Sequence, residues 1–246
     1  MEGYGPETYG DRIADVYDRL WGQAFDVVGT VETLARLAGN GRALELAIGT
    51  GRIALPLAST GVEVVGIDAS QAMVARLREK PGGSDVPVHI GNFADVDVEG
   101  EFSVVFIVFN TLFALTTQED QVRCFRNVAR HLSELGVFVI EAFVPDLGRF
   151  DRHQRVSVAD MSLDEIHLET SRHDPVNQRI ESQHVLLGSD HSRMYPVHLR
   201  YAYPSELDLM ARLAGLRLRE RWGGWRQEPF TSESSSHVSV YERDPG

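Results

Sequence analysis

Leu44-Glu45-Leu46-Ala47-Ile48-Gly49-Thr50-Gly51-Arg52-Ile53-Ala54 is the stretch that decides the fold. An apolar run carrying one carboxylate leads into two closely spaced glycines, and apolar residues at helical spacing follow. That pattern is a buried parallel strand turning into a helix. Glycine in such a turn lets the backbone approach a ligand and take positive φ. Amides at the start of the helix, with its dipole, favour a negatively charged group.

Working outward, Val62-Glu63-Val64-Val65-Gly66-Ile67 is a second strand ending at Asp68, and a helix starting at Ser70 is closed by Pro81-Gly82-Gly83. Residues 86–90, 102–109 and 137–143 read as further strands, with a helix over 118–132. Upstream, residues 9–37 have helical spacing until Gly39-Asn40-Gly41 stops them. The alternation predicts an α/β fold with a doubly wound parallel sheet. From about residue 150 the chain turns polar, and Arg179-Ile180-Glu181-Ser182-Gln183-His184-Val185-Leu186-Leu187 alternates as a half-buried antiparallel strand does. Helical spacing returns at 205–213, and two last strands cover 216–222 and 237–242. The expected division is a doubly wound domain of residues 1–149 and 204–246, opening with a helical segment, and an antiparallel β insertion of residues 150–203.

Composition narrows the partners. A hydrophobic share of 43% is that of an ordinary globular protein, and a net charge of -12 argues against a surface built to neutralise phosphates, hence against nucleic acid. No apolar run approaches the ~20 residues of a membrane span and the start has no signal-peptide pattern, so no membrane partner is expected and a cytoplasmic location follows by default. The single cysteine, Cys124, sits in a helical pattern and reads as a small core residue. Oligomeric state is open, a homodimer being allowed.

Two ligands compete for the glycine turn. Gly49-Thr50-Gly51-Arg52-Ile53-Ala54 satisfies the G-x-G-x-x-G/A dinucleotide pattern, so a NAD-dependent oxidoreductase is one reading. Glu45 at the strand end favours S-adenosylmethionine instead: a carboxylate suits a ligand carrying an ammonium and a sulfonium and repels a pyrophosphate. The Tyr-x-x-x-Lys pair of short-chain dehydrogenases is also missing, because the only lysine, Lys80, lies on the second helix. Asp68, ~20 residues after the turn, suits ribose hydroxyls in either case.

The glycine segment resembles the E/D-x-G-x-G-x-G motif of class I S-adenosylmethionine-dependent methyltransferases. Val64-Val65-Gly66-Ile67-Asp68-Ala69-Ser70 with Met73, Gly91-Asn92-Phe93-Ala94-Asp95, and Asn110-Thr111-Leu112-Phe113 are similar to their later motifs. The closest flavour is the small-molecule methyltransferases of bacterial biosynthesis, amino-sugar N-methyltransferases among them. The resemblance implies a seven-stranded, mostly parallel Rossmann-like sheet with an antiparallel β insertion after strand five, and makes the doubly wound domain cofactor-binding and the insertion a lid. It implies transfer of a methyl group from S-adenosylmethionine to a nitrogen or oxygen of a small-molecule acceptor, leaving S-adenosylhomocysteine. It also implies that Glu45 and Gly49 contact the methionine part, that Gly51 keeps the turn tight and that Asp68 binds the ribose. Ala69 and Met73 would line the adenine, Asn92 and Phe93 its edge, and Phe109 and Asn110 would lie beneath. Tyr17 resembles the N-terminal tyrosine that closes over cofactor and substrate. Two departures stand out: Ala47 replaces the first glycine and Asn92 the usual aspartate. They motivate an alternative, a protein that binds the cofactor while catalysing a non-methylating cyclisation or rearrangement.

Methyl transfer needs alignment and exclusion of water more than it needs a catalytic group, and a base matters only when the acceptor arrives protonated. The candidates are histidines of the insertion, His173 and His198 foremost with His184 beside them, together with Tyr17. Arg52 is a candidate partner for a carboxylate. Trp222, Trp225 and Phe230 fit a substrate wall and a plug of the core equally well. The histidines show no compact metal-ligand spacing, so no metal is expected.

Overall fold

The computed structural model describes residues 3–22, 25–95 and 98–245. In chain order the elements are α1 (Thr8–Ile13), α2 (Tyr17–Trp21), α3 (Val27–Ala38), β1 (Ala43–Leu46), α4 (Ala54–Ala58), β2 (Val64–Asp68), α5 (Gln71–Arg78), β3 (Val88–Ile90) and β4 (Phe102–Ile107). Then come α6 (Gln118–His131), β5 (Leu132–Phe143), β6 (Gln154–Met161), β7 (Glu165–Asp174), β8 (Arg179–Gly188), β9 (Ser192–Arg200), α7 (Pro204–Leu213), β10 (Leu216–Trp222) and β11 (Ser236–Arg243). A 7-stranded sheet has the order β10-β11-β5-β4-β1-β2-β3, and a 4-stranded sheet the order β6-β7-β8-β9. In the larger sheet β5, β4, β1, β2 and β3 run parallel, while β11 and β10 pair antiparallel at one edge. This is the seven-stranded, mostly parallel α/β arrangement that the resemblance implies, with the antiparallel insertion after strand five. The smaller sheet is a meander whose strands pair antiparallel in sequence.

Both faces of the larger sheet are covered. Cys124, Phe125 and Val128 of α6 pack on one face with Phe138 and Tyr241; burial pushes the Cys124 thiol up to about 12 and leaves it inert. On the other face Leu34 of α3 meets Val104, Phe106 and Val139, and Trp222 and Trp225 join the same cluster. The two tryptophans therefore plug the core, and Trp225 is pinned there by the Thr33 hydroxyl, which donates to its carbonyl at 3.0 Å. Among the described residues no helix is long and apolar enough to cross a membrane.

Two elements differ from the sequence reading. The N-terminal helical stretch is broken into α1, α2 and α3, with Gly22 closing the second. The fourth strand stops at Ile107 short of Phe109, because Phe109 and Asn110 both take left-handed backbone, φ 56 and 66. That turn is tied to β5: the Phe109 amide donates to the Glu141 carboxylate at 3.0 Å, and the Phe143 amide to the Asn110 side-chain oxygen at 2.6 Å.

A third apolar cluster positions the site. Ile13, Ala14 and Val16 bury against Met73 of α5 and against Leu186 and Tyr195 of the smaller sheet. Helix α1 is thus a wedge between the two sheets. It sits close on the start of α5: a Cβ at Gly10 would fall 2.5 Å from the Ser70 Cβ. Ser70 caps α5 by accepting from Met73 N at 3.1 Å and donates to Asp11 of α1 at 2.6 Å.

Candidate active site

A cavity of about 440 Å³ opens where the carboxyl ends of β1, β2 and β4 meet α1, α2 and the smaller sheet. This is the switch point of the parallel sheet, with β1 flanked by β4 on one side and β2 on the other, the position at which such sheets bind ligands.

Its floor is the glycine turn. Ala47 and Gly49 are both left-handed, φ 58 and 56, and both line the cavity. A Cβ at Gly49 would meet nothing within 4 Å, so the turn presents bare backbone to open space. Asp68, at the end of β2, accepts from Gly49 N at 2.7 Å through one carboxylate oxygen and from Ser70 N at 2.8 Å through the other. Burial raises its pKa, and those two amides work in the opposite direction by favouring the charged form. With about four lone-pair sites on a carboxylate, capacity remains for a diol. Ala69, Met73, Asn92 and Phe93 line the wall beyond it, and Phe109 and Asn110 the opposite side. The Asn92 side-chain oxygen already accepts from Ala94 N at 3.0 Å, so its first duty is to cap the short turn that follows.

Glu45, Gly51 and Arg52 lie behind this surface and are not part of the cavity lining. Glu45 is buried, and one of its carboxylate oxygens has no hydrogen-bond partner among the described residues. Desolvation pushes its pKa well up, opposed by the Arg52 charge. Arg52 donates to the Trp21 carbonyl at 2.7 Å and to the Tyr17 hydroxyl at 2.8 Å, and its guanidinium lies 4.0 Å from the Phe109 ring centre and 4.6 Å from that of Phe25. Its Nε is buried without a partner among the described residues.

The roof comes from α1, α2 and the smaller sheet. Tyr4, Tyr9, Tyr17 and Trp21 face the cavity, as do His184, Val197, His198 and Leu199. Burial raises the hydroxyl pKa of Tyr9 and Tyr17 and keeps both neutral. His198 is stacked on Tyr4 with ring centres 4.1 Å apart, and its Nε2 is buried without a partner among the described residues. His173 is not brought to the cavity: its Nε2 bonds the Tyr201 hydroxyl at 3.0 Å and its ring stacks on Phe150. It stands six positions from His167 along β7, about 20 Å of extended strand. The smaller sheet brings His184 to the cavity instead. Tyr4, Tyr9 and Trp21 escaped the sequence reading because their position depends on how α1 and α2 dock, which local periodicity does not encode.

Comparison with known proteins agrees with this geometry. A family model described as a methyltransferase domain matches residues 43–136. The solved structure of the CcbJ methyltransferase from Streptomyces caelestis superposes with a TM-score of 0.93 at 42% identity, covering 98% of this chain and 99% of that one. The chain belongs to the class I S-adenosylmethionine-dependent methyltransferases. This methyltransferase is also 28% identical over 241 residues to the cypemycin N-terminal methyltransferase of a Streptomyces species, 97% of this chain and 98% of the relative. Over 143 residues, 54% of the chain and 55% of the relative, it is 34% identical to the dTDP-4-amino-2,3,4,6-tetradeoxy-D-glucose N,N-dimethyltransferase of Saccharopolyspora spinosa. The oxidoreductase and the non-methylating readings give way to methyl transfer.

The residues present fit S-adenosylmethionine. An unpartnered carboxylate oxygen of Glu45 and an unpartnered Nε of Arg52 lie beside the turn, one of each sign, as an amino acid with both an ammonium and a carboxylate requires. The open space over Gly49 admits it without displacing protein. Ala47 does not close the site, since it adopts the left-handed backbone that a glycine would supply.

Proposed function

We propose that the enzyme methylates the nitrogen of a small-molecule amine bound at the roof end of the cavity. The observation that carries this reading is the set of aromatic rings of Tyr4, Tyr9, Tyr17 and Trp21 around that end. Positive charge passes to the acceptor nitrogen as the carbon–nitrogen bond forms, and aromatic faces stabilise such a cation by about 0.5–2 kcal/mol each. S-adenosylmethionine supplies a methyl group on a sulfonium already activated for in-line displacement. The chain aligns and dries the two reactants. In this reading Glu45, Gly49 and Arg52 hold the methionine end, Asp68 the ribose, and Ala69, Met73, Asn92 and Phe93 the adenine. Phe109 and Asn110 support it from below, the tight turn at Gly51 fixes the loop, and Tyr17 closes the boundary with the acceptor. Residues 1–149 and 204–246 act as the cofactor-binding domain and residues 150–203 as a lid over the acceptor. The net charge of -12 supports a small amine and not nucleic acid as partner.

The test is a panel of peptides with a free N-terminus, amino sugar nucleotides, cyclic secondary amines and phenols, incubated with S-adenosylmethionine. S-adenosylhomocysteine formed in step with a singly methylated amine is the expected result. Turnover of phenols with no amine methylated overturns the nitrogen assignment.

A further inference from the structure

We infer that His184 accepts the proton released in methyl transfer, and that His167 behind it is a positioning residue that fixes its tautomer and relays the proton outward; the inference rests on the amine reading above. His184 alternates inward along β8 with Ile180, Ser182 and Leu186, all buried, and lines the cavity. Its Nδ1 lies 3.2 Å from His167 Nε2. The Trp21 ring stands edge-on to both, 5.1 Å from His184 and 6.0 Å from His167, and holds the pair from the α2 side. No described residue hydrogen-bonds the other nitrogen of His184, Nε2, nor is that atom sealed away as the Nε2 of His198 is.

A single proton occupies the contact between two neutral imidazoles. Burial lowers the pKa of both rings and so keeps them neutral. With that proton on Nδ1 of His184, Nε2 carries a bare lone pair. Charges around the pair are uneven. Glu169 of β7, paired directly opposite His184, acts on both rings; Asp160 of β6, paired opposite His167, and Glu165 of β7 act on His167, and Arg19 of α2, bound to Glu165 at 2.6 Å, is the cation near it. Tyr195 of β9 is paired directly opposite His184. Three carboxylates bear on His167 and one on His184, so positive charge is better tolerated at His167 than at His184.

The step balances. The acceptor nitrogen's lone pair forms the new bond to the methyl carbon as the carbon–sulfur bond breaks, and sulfur keeps that electron pair as a thioether. The nitrogen's lone pair is free because the arriving ammonium has first given one proton to His184 Nε2. The Nδ1 proton moves to His167 Nε2, and His167 releases its own Nδ1 proton toward the Asp160, Glu165 and Glu169 rim.

The tautomer is read from long-range nitrogen–proton NMR spectra of protein carrying nitrogen-15 histidine, with S-adenosylhomocysteine bound and signals assigned by His184→Gln and His167→Gln. Expected at pH 7 is a neutral His184 protonated on Nδ1; a proton on Nε2, or a charged ring, overturns the inference. With the amine that the panel shows to react fastest, His184→Gln should lower kcat about 10²–10⁴-fold, the range of general-base contributions. The thermal shift given by S-adenosylhomocysteine should stay as in wild type. Imidazole should restore part of the rate to His184→Ala. His167→Gln keeps an acceptor for Nδ1 and should keep most of the activity, while His167→Leu should move the acid limb of the kcat profile. Wild-type kcat and pH profile in His184→Gln refute the role. Failure of every amine with the wild-type enzyme would instead refute the acceptor reading, and the spectra would still decide the tautomer.

Discussion

Replacing Gly49 by alanine separates ligand binding from folding. Gly49 holds φ +56 and an added Cβ meets no atom within 4 Å, so the new methyl enters the cavity and not the protein. The folded chain bears a backbone cost alone. Left-handed conformation costs an L-residue about 1–2 kcal/mol, and alanine recovers about 0.5–1 kcal/mol through a less flexible unfolded chain. The net loss is about 1 kcal/mol, which for a chain of this size lowers Tm by about 2–4 °C. Gly61 is the matched control: it holds φ +96, an added Cβ again meets nothing within 4 Å, and it precedes β2, on the rim of the sheet away from the cavity. Gly61→Ala should lose at least as many degrees, since φ +96 lies beyond the left-handed well that alanine can enter. Only Gly49→Ala should lose ligand, because its methyl occupies the space beside the amide that binds Asp68. Calorimetry should show S-adenosylhomocysteine bound at least tenfold more weakly, about 1.4 kcal/mol, with Gly61→Ala unchanged. Wild-type affinity in Gly49→Ala, or equal weakening in Gly61→Ala, would refute the glycine turn as the floor of the cofactor site.

Three further outcomes are expected. Asp68→Ala removes the acceptor of charge-assisted hydrogen bonds to the ribose, and losing one of them, about 1.5–3 kcal/mol, should already weaken S-adenosylhomocysteine about 10- to 150-fold; unchanged affinity by calorimetry would mean that the ribose lies elsewhere. Arg52→Lys keeps the charge but loses the planar stack on Phe109 and Phe25 and the paired donors to Trp21 and Tyr17, so it should weaken the same ligand at least tenfold, with wild-type affinity counting against the assignment. Stability should fall on acidification because of His237, whose ring is fully buried and whose pKa is lowered from 6.5 to about 4, chiefly by burial. The unfolded chain binds a proton in that window and the folded chain does not, so stability present above pH 6.5 is lost as pH falls toward 4, by about 3 kcal/mol at most. Denaturant titrations at pH 7 and pH 5 should show the loss, and His237→Gln should flatten it; an unflattened difference would assign the loss to other groups.

The parts of this enzyme that were legible in sequence are those set by local patterning. Buried parallel strands need unbroken apolar runs, and the glycine turn must follow the first of them, so the order of elements and the Asp68 position could be read directly. Ala47 shows where such reading falls short. Set against a glycine it looks like one added methyl group, yet the structure gives it φ 58, so what the exchange alters is backbone strain and not size. The end of β4 was hidden for a related reason: an apolar run does not show where the chain leaves extended backbone, and only the Glu141 and Asn110 contacts with β5 fix the left-handed turn at Phe109.

The histidines make the sharper case. Parity along the strands already separates inward from outward positions, and His167, His173 and His184 all fall on the buried face. What parity cannot give is distance along the strand from the cavity. That distance follows from the β7–β8 hairpin, in which Asp174 pairs with Arg179, His173 with Ile180, and Glu169 with His184. Counted from this turn, His173 is next to the hairpin end while His184 and His167 lie several residues further in, under Trp21. A candidate list drawn from composition favours whichever histidine stands beside a charged neighbour, whereas the cavity selects the one at the right depth. The chemistry of the acceptor end is therefore written in tertiary distance, and the cofactor end in local sequence.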